Sequence, residues 1–370
     1  MTPDEHRPHH EHVTAHEVFE ELVVESLEYA DGGDGGAPAR SGGRAAKLVT
    51  TFGLVLGGLA VFFVVKRFLH DWPLIQPELK DANWAWVAVG GLFAALGMTS
   101  IGWGWRHVMR TLGAEPRLLR TIAWYYVGEM GKYVPGGVWP VLGRGELARR
   151  GGIPRSRAFT SVALSLGMLY LSAMFTAAAF LPFAVAGKKG GFSPWMLVLL
   201  ALPVGVVLLH HDVLDWLMAK ASRATKREIR VEVPQWRDSL VLVARYVPTW
   251  VCIGTATYAV ARAISSDVSY PHLVFATILS WVVGFLAVPV PSGAGIRETV
   301  LYASSGLPKS IAITTAIGAR IIFVIVDVAG AALFAPFVRH QPVVVADDDD
   351  DEGGAAVGAD EGPDGGAVDL

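Results

Sequence analysis

Hydrophobic positions in this chain do not alternate with polar ones; they collect in long runs divided by basic loops. Runs near the ~20 residues that carry a helix across a bilayer predict spans at Leu48–Val65, Trp84–Trp105, about Ala158–Ala186, Trp195–His211, Leu240–Ile264 and Ile311–Val338. Two other runs end in backbone breakers. Leu118–Met130 makes about 20 Å of helix, too short for a hydrocarbon core of about 30 Å. It runs into Lys132-Tyr133-Val134-Pro135-Gly136-Gly137, where the proline removes a backbone donor and the glycines favour non-helical geometry. Such backbone is tolerated at membrane depth only inside protein or beside a wet cavity. The segment therefore reads as the tip of a re-entrant element lining a pocket. Leu273–Val290 is long enough to span outright, which would reverse the sidedness of every later segment, yet it leads into a similar Pro291-Ser292-Gly293. The pattern predicts an all-α, polytopic helical membrane protein with about six full spans plus two re-entrant or broken helical elements.

The two breaks read as copies of one device. Pro135-Gly136-Gly137 aligns with Pro291-Ser292-Gly293, and Arg144 with Glu146 answers Arg297 with Glu298. Gly152-Ile153-Pro154 then matches Gly306-Leu307-Pro308, each a turn with proline poised to enter the following long apolar helix. Basic loops stay cytoplasmic. With the N-terminus inside, the arginine-rich loops 106–120, 144–157 and 212–239 also lie inside, and the first re-entrant element enters and leaves on that face. The second then enters and leaves on the other, and the chain returns to a cytoplasmic C-terminus. That is an inverted repeat, the arrangement many transporters use for alternating access to a midplane site.

Composition fits a membrane protein: 52% of residues are hydrophobic and mean hydropathy is +0.41. Charge is strongly partitioned. Residues 1–39 carry ten acids against one base, Arg7, and residues 341–370 carry ten acids and no base. Such glycine-rich acidic ends cannot bury enough apolar surface to order themselves. They bound three regions: a disordered tail over 1–44, a transmembrane domain over 45–340 with repeat motifs near 131–158 and 289–312, and a disordered tail over 341–370. Histidines 6, 9, 10, 12 and 16 are too irregularly spaced to define a metal site, and the single Cys252 excludes an intrachain disulfide. Trp72, Trp84, Trp86, Trp103, Trp105 and Trp195 gather near span ends and read as an interfacial belt. No GxxxxGK[ST], HExxH or GxSxG signature occurs, and the basic loops are explained by orientation, so neither catalysis nor nucleic-acid binding is indicated.

With GKYVPGGVW followed by GR, and PVPSGAGIRE in the second half, the chain resembles the lysylphosphatidylglycerol synthase transmembrane-region family of flippase-like integral membrane proteins. The resemblance covers roughly residues 45–340. It implies movement of lipids across the bilayer, such as aminoacylated phosphatidylglycerol or polyprenyl-phosphate-linked sugars. The soluble synthase domain of the lipid-modifying members is missing here, so aminoacyl transfer is not expected.

Charges at membrane depth cost about 2.5–3.5 kcal/mol each on insertion scales and need a partner or a task. Beside the breaks, Lys132, Arg144 and Arg297 offer a cradle for an anionic headgroup, with Tyr133, Pro135, Gly136, Gly137, Glu146, Ser292, Gly293 and Glu298 completing it. The alternative is that Arg144 pairs with Glu146 and Arg297 with Glu298 merely to brace the loops. Arg320 and Asp327 share one face of the last span but lie about 10 Å apart along its axis. Arg320 therefore meets a carboxylate elsewhere, with Glu129 and Glu298 as candidates. These residues support translocation of an anionic phospholipid or polyprenyl-phosphate-linked lipid in the cytoplasmic membrane, without catalytic residues, metal or cofactor. Its partners are membrane lipids and a separate lipid-modifying synthase or glycosyltransferase. Two alternatives stay open: a membrane-embedded transferase with Glu146 or Glu298 as base, and a non-transporting lipid-binding scaffold for a partner synthase.

Overall fold

A computed structural model describes residues 82–133, 138–185, 236–286 and 295–339, with a few positions between 72 and 80. The expected spans Leu48–Val65 and Trp195–His211, both acidic tails, and Pro135, Gly136, Gly137, Ser292 and Gly293 lie outside the described residues. Within them the chain is helical, in the order α1 (Trp84–Thr111), α2 (Leu118–Glu129), a 3₁₀ turn (Met130–Tyr133), α3 (Trp139–Arg150), α4 (Arg155–Val185), α5 (Trp236–Ile264), α6 (Tyr270–Leu286), α7 (Ile296–Ser305) and α8 (Lys309–Arg339). Helices α1, α4, α5 and α8 are long and apolar enough to cross a membrane. The others are shorter: α2 and α3 have 12 residues each, roughly 18 Å of helix, and α6 has 17.

Local chemistry accounts for the element ends. The Asn83 side chain accepts a hydrogen bond from the Ala85 N–H at the start of α1. Gly152 and Gly306 both adopt positive φ, +92° and +70°, a conformation that costs glycine nothing. Pro154 and Pro308 follow them and give their carbonyls to the N–H groups of Ala158 and Ala312, opening α4 and α8 alike. The duplicated Gly-x-Pro is thus one helix-stop, helix-start device used twice.

The two halves also pack as copies. Helices α1 to α4 correspond in order to α5 to α8. Exchanging the halves turns every substantial helix pairing into another that is present: α2 with α3 becomes α6 with α7, α2 with α8 becomes α6 with α4, and α1 with α4 becomes α5 with α8. The equivalent α1 and α5 form the largest interface and run antiparallel, since Gly90 lies by Val260, Gly97 by Ile253 and Gly104 by Tyr246. A pair of symmetry-related helices that run antiparallel places the repeat axis across them rather than along them, which is an inverted repeat. Small residues permit the close approach: a Cβ on Gly104 would sit 2.4 Å from the Tyr246 ring.

Each half folds its short helices into an antiparallel hairpin. Gly151 abuts Trp124, Gly143 abuts Gly128 and Gly131 abuts Trp139, so α3 runs back along α2. In the second half Gly284 near the end of α6 meets Arg297 at the start of α7. Each hairpin packs on the long last helix of the other half, α2 on α8 and α6 on α4. Tyr126 stacks on Phe334 and Tyr170 on Phe285 across these contacts. The tryptophan belt needs one correction. Trp84 and Trp103 are exposed, but Trp105 is fully buried and donates its indole N–H to Ser161 at 3.0 Å. Near the end of α1 its ring packs on Trp124 inside the bundle instead of at an interface.

Candidate functional site

The hairpins bring the charged residues inward. Gly128, lacking a side chain, lets the Arg144 backbone and stem lie directly against α2. The Arg144 guanidinium then reaches Glu129 at 3.0 Å and crosses the Tyr125 ring at 5.5 Å. Arg144 is 3% exposed, so its charge is balanced where water is scarce. One turn on, Lys132 lies 3.7 Å from Glu129 and 2.6 Å from Asp327 of α8. Tyr133 donates its hydroxyl to the same Asp327 oxygen at 2.8 Å. The 3₁₀ turn of the first half is thereby fastened to the last helix of the second.

The suggested pairing of Arg144 with Glu146 is not formed. Residues two apart on a helix do not face one another, and Glu146 turns the other way, gripping Arg149 at 2.6 and 2.8 Å and Arg150 at 3.2 Å. Arg297 likewise does not pair with its neighbour Glu298. One carboxylate oxygen of Glu298 accepts the Gly295 N–H at 2.6 Å, capping α7, and the other accepts from Arg320 at 2.8 Å. Of the two carboxylates proposed for Arg320, the partner is Glu298.

Arg297 has the opposite environment to Arg144. Gly284 makes room for its stem, as Gly128 does for Arg144, and its guanidinium lies 4.4 Å from the centroid of the Trp281 ring. Among the described residues no carboxylate lies within ion-pairing distance, and its Nε is buried without a hydrogen-bond partner. The guanidinium therefore lies against the indole with its Nε packed toward Gly284, a cation held by a ring and not by a described carboxylate.

One cavity gathers these groups. Lys132, Tyr133, Arg297, Glu298, Arg320 and Asp327 all line it. Glu129 and Arg144 stand behind Lys132, and Glu146 does not reach the cavity. Lys132 balances Asp327 and Arg320 balances Glu298, which leaves the Arg297 charge as the cavity's unmatched one among the described residues. Among the wall residues that sequence reasoning missed are Thr257 on α5 and Thr277, Ser280 and Trp281 on α6. A signal was present, because Thr277, Ser280, Trp281 and Gly284 fall at helical spacing, a polar and small stripe inside an apolar run.

An inverted pair of helical repeats, closed around a charged cavity and built on apolar helices long enough to span, defines a multi-pass membrane protein with a polar site between its halves. The family model described as the lysylphosphatidylglycerol synthase TM region matches residues 50–331. Since that is well over half of the chain, the protein belongs to this family, and its function concerns membrane lipids. No curated protein matches the chain.

Proposed function

We propose that the chain translocates an anionic phospholipid or a polyprenyl-phosphate-linked lipid between leaflets, presenting the cavity to each side in turn. Arg297 is the observation that carries this reading: a cation at membrane depth with no carboxylate in ion-pairing distance among the described residues, at the wall of a cavity, is expensive unless an anion visits it. A headgroup phosphate fits its fork, while the acyl or prenyl chains stay in the lipid outside. Lys132, bridged to Asp327, ties the hairpin of one half to the last helix of the other. Movement of the halves against one another must part or carry this contact, so it serves as the closing strap of the site.

The protein acts in the cytoplasmic membrane with both termini inside, as its basic loops favour. The two short hairpins dip into the bilayer from opposite faces, a reading supported by their length and by the inverted packing of the halves. It is not an enzyme in this reading. Glu146 is occupied by two arginines and Glu298 by Arg320 and the Gly295 N–H, so neither is poised as a general base. A separate synthase or glycosyltransferase would make the lipid that is moved.

The test is reconstitution of the purified chain in vesicles carrying a short-chain fluorescent lipid in one leaflet, with dithionite access as the readout. Movement should be protein-dependent and fall by about tenfold or more in Arg297→Ala, the scale of one lost charge-assisted contact. Unchanged movement in that variant would remove Arg297 from the site. No movement with any anionic lipid would sink transport itself.

A further inference from the structure

The carboxylates around the cavity are not secured alike. Glu298 holds Arg320 at 2.8 Å and the Gly295 N–H at 2.6 Å. Glu129 has Arg144 at 3.0 Å. Asp327 is fully buried and depends for its charge on Lys132 at 2.6 Å, a residue that itself lines the cavity. Its two donors, Lys132 and Tyr133, both fall on Oδ2, and Oδ1 is buried without a hydrogen-bond partner among the described residues. We infer that Asp327 is a proton-binding site, which takes up one proton when an anion occupies the cavity and releases it when the anion leaves. The inference rests on the transport reading for what enters the cavity.

Competition for Lys132 carries it. An anion that enters meets both Arg297 and Lys132, and an ammonium turned toward a phosphate oxygen no longer neutralises the carboxylate. An ionised carboxylate left buried without a cation is a costly arrangement in a protein interior. A proton added at the vacant Oδ1 removes that charge, and Oδ2 keeps the Tyr133 hydrogen bond. The step balances. The proton comes from water on the open side, the Lys132 ion pair passes from carboxylate to phosphate, and the site holds the same net charge before and after. Such a site can turn from one face of the membrane to the other without carrying an added charge through lipid. Neutralising Asp327 also slackens the strap between the halves, which links occupancy to opening at one residue.

The surrounding groups single out Lys132 as the partner that Asp327 loses. From α2, Glu129 lies 3.7 Å from the same ammonium, and Tyr125 and Tyr126 stand close as neutral phenols. Arg144 of α3 stays with Glu129, and Arg320 on α8 itself is held by Glu298 of α7. Arg297 of α7 lines the same cavity and is engaged by the anion. Helices α1 and α5, also packed on α8, bring no charged group to the cavity among the described residues.

The test is equilibrium proton uptake by full-length protein in detergent, read with a pH-indicator dye in weakly buffered solution. The titrant is short-chain phosphatidylglycerol, whose phosphodiester does not titrate near neutral pH. Uptake should approach about one proton per lipid bound, and affinity should rise as pH falls by up to about tenfold per pH unit, as linkage requires. Asp327→Asn keeps an oxygen for Tyr133 but cannot take a proton there, so it should abolish the uptake and flatten the pH dependence. Glu298→Gln should keep both. In vesicles, acid on one side should drive net movement of the lipid away from that side, whereas a membrane potential alone should not.

An affinity independent of pH in the unaltered protein overturns the inference without recourse to a variant. Undiminished uptake in Asp327→Asn overturns it as well. Proton uptake on binding without movement in vesicles sinks transport and leaves the proton site standing. Movement without uptake, or movement indifferent to a pH gradient, does the reverse.

Discussion

Arg144 and Arg297 occupy equivalent places in the two halves. Each sits in the short returning helix of a hairpin, and each is received by a glycine on the outgoing helix, Gly128 or Gly284. Their surroundings differ in one respect. Glu129 stands beside Arg144, whereas the matching position of the second hairpin is Phe285, which stacks on Tyr170. Where the first hairpin forms an ion pair, the second leaves its arginine against a ring. The duplication supplies the scaffold, and in the proposed reading the departure from symmetry supplies the anion site.

The comparison can be broken most directly at Glu129. Glu129→Gln strands the Arg144 charge inside the hairpin and should cost about 3 kcal/mol, the penalty for breaking a buried pair, seen as a lowered unfolding midpoint in detergent. Arg297→Gln breaks no ion pair and should change that midpoint little while reducing lipid binding. Equal loss of stability in the two variants would show that the halves are electrostatically alike.

The receiving glycines give the next largest effect. A Cβ on Gly128 would lie 2.8 Å from the Arg144 backbone nitrogen, which cannot retreat without parting α2 from α3. Gly128→Ala should therefore cost about 2 kcal/mol. A Cβ on Gly284 meets only side-chain atoms of Arg297, the nearest at 2.5 Å, and these can swing aside. Gly284→Ala should cost about 1 kcal/mol or less, and by moving Arg297 off Trp281 it should weaken anion binding more than folding. Identical thermal shifts would refute this distinction.

Smaller effects sharpen the contrast. Tyr133→Phe removes one hydrogen bond to Asp327 and should lower stability by about 1 kcal/mol, with phosphatidylglycerol binding kept within a few-fold. Glu146→Gln should be nearly silent, roughly 0.5 kcal/mol, because its arginine partners are partly exposed. A large loss of transport in Glu146→Gln would return that residue to the site.

Much of the architecture was legible because it is local. Run length and hydropathy placed α1, α4, α5 and α8 with small boundary differences, α1 continuing through Arg106 and Arg110 to Thr111 beyond the expected Trp105. The Gly-x-Pro pairs announced where helices stop and restart, since φ > 0 and a proline ring act within a few residues. Trp105 misled for the same reason: proximity to a helix end suggests an interface, but the surroundings of an indole ring are set by helices distant in sequence.

By itself, then, the sequence determined that the chain is a membrane-embedded helical protein with two interrupted, duplicated elements, because apolar length and backbone breakers act through the nearest few residues. Only the tertiary structure decided the partners of the charges. Arg144 meets Glu129, Arg320 meets Glu298, Lys132 meets Asp327 across 195 positions, and Arg297 meets a ring. Those choices arise from folding each hairpin back on itself and docking it on the opposite half. Coulomb attraction and hydrogen bonding act over a few ångströms of space, whatever the distance along the chain.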